Sequence, residues 1–248
     1  MAIYFISDLH LDMATPDMVA GFVRFTENLK DAESLYILGD FFEAWIGDDV
    51  ETPVSQAVAA ALGQLAQRGC RIHIMHGNRD FLIGNAFCQQ CNAHLIPEGS
   101  VITLGSQTAL LLHGDSLCTD DVAYQQVRTM LRNPAWQQDI LSKSVEERIA
   151  FAKQARMESQ NSNAMKSDDI MDVNQAAVEQ ALQEANVDLM IHGHTHRPFD
   201  HRWEIGDTPY RRIVLGDWSS QHGWMIRFNP DEADSPDQGL TLEQFPLF

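Results

Sequence analysis

Ile3-Tyr4-Phe5-Ile6-Ser7-Asp8-Leu9-His10 carries a short apolar run into a carboxylate and an imidazole two residues apart. A run of this length before a polar break reads as a buried strand. Residues two apart on an extended chain share a face, so Asp8 and His10 form a two-pronged metal clamp at the strand's carboxyl end. Alone the triplet is weak, because a surface strand end gives the same pattern. Its weight comes from recurrence. Residues 35–38 run into Gly39-Asp40, 72–75 into Gly77-Asn78-Arg79-Asp80, 110–112 into His113-Gly114-Asp115, and 189–191 into His192-Gly193-His194-Thr195-His196. Each cluster taken singly reads as a turn, with glycine allowing the chain to bend tightly. Five of them, all hard oxygen and imidazole donors at strand ends, read as one site.

Between the early runs, residues 16–29 and 54–67 place apolar side chains at three- and four-residue spacing, the period of a helix. Strands alternating with helices imply βαβ units, an α/β fold and a partly parallel sheet. In such sheets ligands gather outside the carboxyl ends of the strands, where these clusters sit.

The 248 residues, 44% hydrophobic, suffice for one substantial core. No apolar run approaches the roughly 20 residues of a membrane-spanning helix. The start of the chain lacks the charged, apolar and small-residue regions of a secretory signal, so a cytoplasmic location is expected. There Cys70, Cys88, Cys91 and Cys118 stay as thiols. With 17 basic against 35 acidic residues the net charge is −18, which opposes broad binding to nucleic acid. An anionic substrate then needs a local positive site, and metal ions supply one.

Residues 121–167 differ in texture. They lack β-branched runs and read as two or three short helices broken near Asn133-Pro134 and Ser142-Lys143-Ser144, inserted into the 1–248 domain. Arg128, Arg132, Lys143, Arg148, Lys153, Arg156 and Lys166 make this segment slightly basic in an acidic chain. Its apolar residues Val127, Met130, Leu131, Trp136, Ile140, Leu141, Ile149, Phe151, Ala152 and Met157 read either as an acyl groove or as helix packing. Cys88-x-x-Cys91 has no second cysteine pair and reads as buried thiols, while His73 inside an apolar strand reads as a packed or edge residue.

The ordered set Asp-x-His, Gly-Asp, Gly-Asn, His and Gly-His-x-His resembles the calcineurin-like metallophosphoesterases over nearly the whole chain outside the insertion. That resemblance implies a two-sheet α/β sandwich flanked by helices. It implies two divalent ions, Mn²⁺ favoured, one on Asp8, His10, Asp40 and His196, the other on Asp40, Asn78, His113 and His194, with Asp40 bridging. Mixed carboxylate, amide and imidazole donors without thiolate suit Mn²⁺, Fe²⁺ or Zn²⁺. Catalysis is then expected from Asp40, Asn78, Arg79 and His113, with a metal-activated water displacing the leaving group in line.

Arg79 departs from the family pattern, which has histidine there. A fixed guanidinium suits a leaving group that already departs as an anion, which favours an anhydride; the plainer reading pairs Arg79 with Asp80. Arg79, the segment from Gly39 to Asp49 and the insertion resemble one branch of the family. Its members hydrolyse UDP-2,3-diacylglucosamine to UMP and 2,3-diacylglucosamine 1-phosphate, peripherally at the cytoplasmic face of the bacterial inner membrane. The branch implies substrate contacts at Asn78, Arg79, Asp121, Ser159, Asn163, Lys166 and His194, and a lid formed by the insertion. A soluble phosphodiesterase or phosphatase of the family needs the same metals and parts from this reading at Arg79 and at the insertion.

Overall fold

The structure, a computed structural model, describes residues 1–163, 172–232 and 239–248, and the side chains of all of these but 162 and 163. Two mixed sheets face one another. The first has the order β11 (Leu240–Pro246), β10 (His222–Phe228), β1 (Ala2–Ile6), β2 (Ala32–Leu38), β3 (Arg71–Met75), β4 (Ala93–Leu95), with β1 to β4 parallel. The second has the order β5 (Ser100–Leu104), β6 (Gln107–Leu111), β7 (Leu189–His192), β9 (Thr208–Val214), β8 (Phe199–Ile205), with β6, β7 and β9 parallel.

Alternation along the strands explains why both faces are apolar. Phe5, Leu38 and Met75 of the first sheet meet Ala109, Leu111, Leu189, Ile191 and Ile213 of the second in the layer between them. Tyr4, Ile6, Leu35, Ile37, Ile72 and Ile74 face the other way, onto α1 (Pro16–Asn28), α2 (Pro53–Gln67) and α3 (Asn85–Cys91). On the far side Leu110 and Met190 pack on Val178 and Leu182 of α7 (Gln175–Ala185). Strands buried on both faces read as apolar runs, as β1, β2, β6 and β7 do, while His73 interrupts the run of β3. His73 is half-buried between Tyr36, stacked at 4.4 Å, and His94 at 5.7 Å.

Residues 121–163 form α4 (Val122–Leu131), α5 (Pro134–Leu141) and α6 (Val145–Asn163), with breaks at Arg132-Asn133 and Ser142-Lys143-Ser144. Asp121 and Asn133 start α4 and α5 by accepting hydrogen bonds from backbone N–H groups, as helix-capping residues do. These helices bury little apolar surface against the body, and arginines hold them. Arg128 pairs with Asp115 and Glu98, and Arg132 donates to the Gly77 carbonyl at 3.0 Å. Buried Arg148 forks onto Asp49 at 2.7 and 2.5 Å and donates to the Ile46 carbonyl, while Arg156 pairs with Glu43 at 2.8 Å. Four of the seven residues that make the segment basic thus face the acidic body rather than an outside surface. Trp136 packs between Phe81 and Phe151, whereas Val127, Met130, Leu141, Ile149 and Met157 are exposed. The apolar positions therefore divide, some serving packing and others leaving an apolar surface.

Candidate dinuclear metal centre

The five clusters leave the carboxyl ends of β1, β2 and β3 in one sheet and of β6 and β7 in the other, and the loops meet through backbone contacts. Asp8 N–H donates to the Gly39 carbonyl at 3.1 Å, His10 N–H to the Asp40 carbonyl at 3.0 Å, and Gly193 N–H to the His113 carbonyl at 2.8 Å. Two glycines make this approach possible. A Cβ on Gly77 would lie 2.1 Å from Asp40 N, and one on Gly193 would lie 2.1 Å from Ser7 Oγ and 2.3 Å from Asp8 Oδ2.

The side chains converge around Asp40. Its carboxylate lies 3.9 Å from His10 Nδ1 on one side and 3.7 Å from His113 Nε2 on the other. On the His113 side, Asn78 Oδ1 stands 2.9 Å from His113 Nε2 and 3.0 Å from His194 Nδ1. On the His10 side, His196 Nε2 stands 3.3 Å from His10 Nε2 and 3.4 Å from Asp8 Oδ1. His113 Nδ1–H donates to the Leu38 carbonyl at 2.8 Å, which fixes the ring and turns Nε2 into the site. Asp8 Oδ2 is held by Ser7 Oγ at 2.5 Å and His194 N–H at 2.9 Å.

These residues fit divalent cations. Asp8, His10 and His196 present ligand atoms within 4.8 Å of one another, as do Asp8, Asp40 and His113. Asp8 Oδ1 and His10 Nδ1 are buried with no hydrogen-bond partner, a cost unless something else binds them. Burial, with Asp80 and Asp8 nearby, outweighs His113 and Arg79 and pushes the Asp40 carboxyl up to about 7, so the pocket is short of positive charge. Burial holds His10 at about 3, with the Arg79 charge adding to it, and His194 at about 4, leaving neutral imidazoles of the kind metals take. At His113 burial is overcome by Asp40, Asp8 and Asp115, which raise it to about 9. Burial alone would raise Asp8, but His196, His113 and His10 outweigh it and hold it below the usual carboxylate range. Asp8, His10, Asp40, His194 and His196 also sit at positive φ, between 49° and 68°. The other non-glycine residues described there, Asn92 and Asn186, cap helix ends. Left-handed backbone at five donors is strain of the kind functional sites hold.

Arg79 reaches the same place. Its N–H donates to Asp40 Oδ1 at 2.9 Å, its Nε lies 3.5 Å from Asp40 Oδ2, and its Nη1 pairs with Glu43. Asp80 is not its partner. That carboxylate is buried and accepts from the N–H groups of Phe41 and Gly77, each at 2.7 Å, so it ties the Asp40 loop to the Asn78 loop. Asp121 is the cap of α4, and Ser159 is exposed on α6. The side chain of Asn163, and Lys166 entirely, lie outside the described residues.

Sequence reasoning missed several participants. Glu43 touches Arg79 and Arg156, and Asp217 lies 3.7 Å from His196 Nδ1. Tyr124 stacks 6.3 Å from His194 and donates to Asp115 Oδ2 at 2.5 Å. The bond to Asp115 and burial, burial first, raise the Tyr124 hydroxyl far above its ordinary value. Only Asp217, beside Gly216 at the end of β9, followed the strand-end rule and was open to discovery.

Known proteins resemble this chain over its whole length. A UDP-2,3-diacylglucosamine hydrolase of Marinobacter nauticus is 49% identical over 248 residues, covering 100% of this chain and 99% of that protein. The hydrolase of the same name from Pseudomonas aeruginosa is 47% identical with 100% of both covered, and that of Chromohalobacter salexigens is 46% identical over 93% of this chain and 94% of its own. A solved archaeal phosphodiesterase superposes over 99% of each chain with a TM-score of 0.50 at 11% identity, a likeness of fold. Residues 1–198 match the calcineurin-like phosphoesterases, and with its strand-end donors gathered around Asp40 this chain belongs to that family.

Proposed function

We propose that this chain hydrolyses the diphosphate bond of UDP-2,3-diacylglucosamine, releasing UMP and 2,3-diacylglucosamine 1-phosphate in lipid A biosynthesis. The observation that carries the chemistry is the place of Asp40, one carboxylate between His10 and His113 with a donor group on each side. Near-full-length identity to hydrolases of that substrate supports the specificity.

Asp8, His10, Asp40 and His196 would hold one divalent ion, and Asp40, Asn78, His113 and His194 a second; the donor set suits Mn²⁺, Fe²⁺ or Zn²⁺, and the family resemblance favours Mn²⁺. When bound, such a pair supplies an activated water and positive charge around the α phosphorus. The protein's own groups do the rest. The Leu38 carbonyl and the Asp8 carboxylate fix the His113 ring and the His194 backbone. Arg79, anchored to Asp40 through its own N–H, directs a permanent cation at the departing phosphate, which needs no proton to leave. This role separates the chain from family members that cleave esters and need an acid.

The 121–167 segment acts as the lid that selects the substrate, with Asp121, Ser159, Asn163 and Lys166 as contacts alongside Asn78, Arg79 and His194. Its exposed apolar residues suit acyl chains. For this lipid-bearing substrate we propose a peripheral position at the cytoplasmic face of the inner membrane; no described helix is long and apolar enough to cross one.

The test is chelation followed by reloading with Mn²⁺, using UDP-2,3-diacylglucosamine. Turnover should vanish and return, and Asp40→Asn should lose more activity than Asn78→Ala because it weakens both ion sites. Full turnover by metal-free protein would refute the reading.

A further inference from the structure

Glu43 stands where three parts of the molecule meet. It is partly buried in the loop that follows Asp40, and its two carboxylate oxygens are divided between neighbours. Oε1 pairs with Arg156 Nε on α6 at 2.8 Å. Oε2 accepts from Arg79 Nη1 and lies 3.7 Å from His10 Nδ1. One carboxylate therefore ties the inserted helices, the loop that carries Asn78 and Arg79, and the edge of the proposed metal centre.

Arg79 is shared between Glu43 and Asp40, whose Oδ2 lies 3.5 Å from its Nε, so Glu43 is the carboxylate that the two guanidinium groups have in common. Both arginines have forked N–H donors, and a phosphate offers that fork more oxygens and more charge than a carboxylate does. We infer that Glu43 is a positioning residue that holds Arg79 and Arg156 in reserve and competes with the substrate's phosphoryl oxygens for both. Seating of the anion and placement of α6 are then coupled through one side chain. The inference rests on the phosphoesterase reading of the site. Glu43 makes and breaks no covalent bond; it sets where the cations stand before the anion arrives. The coupling also explains why Arg156 faces inward although its chain neighbours Lys153 and Met157 are exposed.

The experiment compares Glu43→Gln, Arg156→Gln and the double variant with the wild type, all loaded with Mn²⁺. KM and kcat are measured on UDP-2,3-diacylglucosamine, hydrogen exchange of the α6 amides without substrate, and bound Mn²⁺ by elemental analysis. Glutamine keeps the shape of Glu43 and removes its charge, so the phosphate no longer displaces a carboxylate. KM should fall roughly two- to fivefold, the range of a partly exposed charge pair. In Arg156→Gln, which removes a cation from the anion's path, KM should rise. Exchange in α6 should quicken in both single variants and no further in the double, because both cut the same tie. A raised KM in Glu43→Gln, unchanged α6 exchange, additive exchange in the double variant, or loss of Mn²⁺ in Glu43→Gln would each overturn the inference. Failure of the phosphoesterase reading has a different signature: the wild type leaves the substrate uncleaved, while the exchange arm still decides whether the tie exists.

Discussion

Gly77 is not itself a proposed ligand, yet Gly77→Ala should disable the proposed metal centre. A Cβ on Gly77 would lie 2.1 Å from Asp40 N, 2.2 Å from Asp40 Oδ1 and 2.9 Å from Asp40 Cγ. Ordinary contact needs about 3.5 Å, so the loops after β2 and β3 must part by more than about 1 Å. The backbone of Asp40 cannot yield alone, because Asp80 binds the N–H groups of both Phe41 and Gly77. The displacement therefore falls on the Asp40 carboxylate, which is placed within 4 Å of His10 and His113 at once. A misplacement of about 1 Å in a reacting constellation costs on the order of 100-fold. We expect kcat/KM on a chromogenic phosphodiester to fall by about that factor, with reduced Mn²⁺ content and a circular dichroism spectrum like that of the wild type. Gly63→Ala is the control. Its Cβ would meet nothing nearer than 3.8 Å, and alanine inside α2 should raise stability by roughly 0.5–1 kcal/mol with activity unchanged. A Gly77→Ala enzyme with full metal content and undiminished kcat/KM would refute the argument.

Arg79→Lys should lose much of kcat on the lipid nucleotide and Arg79→Ala more, both with normal Mn²⁺ content, since an ammonium lacks the planar fork; steady-state kinetics beside elemental analysis reads this directly. Arg148→Ala should release α6 from Asp49 and the Ile46 carbonyl, a local loss of about 1–3 kcal/mol. Proteolysis within residues 145–163 should quicken, and kcat/KM should fall for the diacylated substrate but not for a small chromogenic diester. Burial pushes the thiols of Cys70 and Cys88 up to about 11 and that of Cys118 to about 12, so iodoacetamide at pH 8 should label none of them until the protein is unfolded. A thiol raised above its unfolded value of 9.0 favours the folded state below that pH, and the advantage is lost as pH climbs through about 11. Melting temperature should therefore drop between those two values.

Much of the site was legible because its logic is local. A buried strand must end in something polar, and in β1, β2, β3, β6 and β7 that something was a side chain of a type that can ligate a metal, within a few residues. Periodicity placed α1 and α2 nearly to the residue, since an amphipathic helix on a sheet leaves a repeating apolar trace. Strands β4, β5, β8 and β11 were missed. They lie toward sheet edges, where polar and charged residues such as Asp200, Arg202 and Glu243 interrupt the apolar pattern. Glu43 and the inward-facing arginines of α4 and α6 were illegible for a different reason. An ion pair between residues far apart in the chain leaves no periodic trace, and a basic helix has the same composition whether it faces an acidic body or a membrane. Asp80 was misjudged as a possible partner of Arg79 because adjacency in sequence says nothing about direction; its carboxylate turns inward to three backbone N–H groups.

The most direct test of the central claim is mass spectrometry of the products formed from UDP-2,3-diacylglucosamine by Mn²⁺-loaded enzyme in water enriched in oxygen-18. Attack at the α phosphorus predicts one labelled oxygen in UMP and none in 2,3-diacylglucosamine 1-phosphate. Label in the sugar phosphate, or cleavage to any other pair of products, would contradict the account.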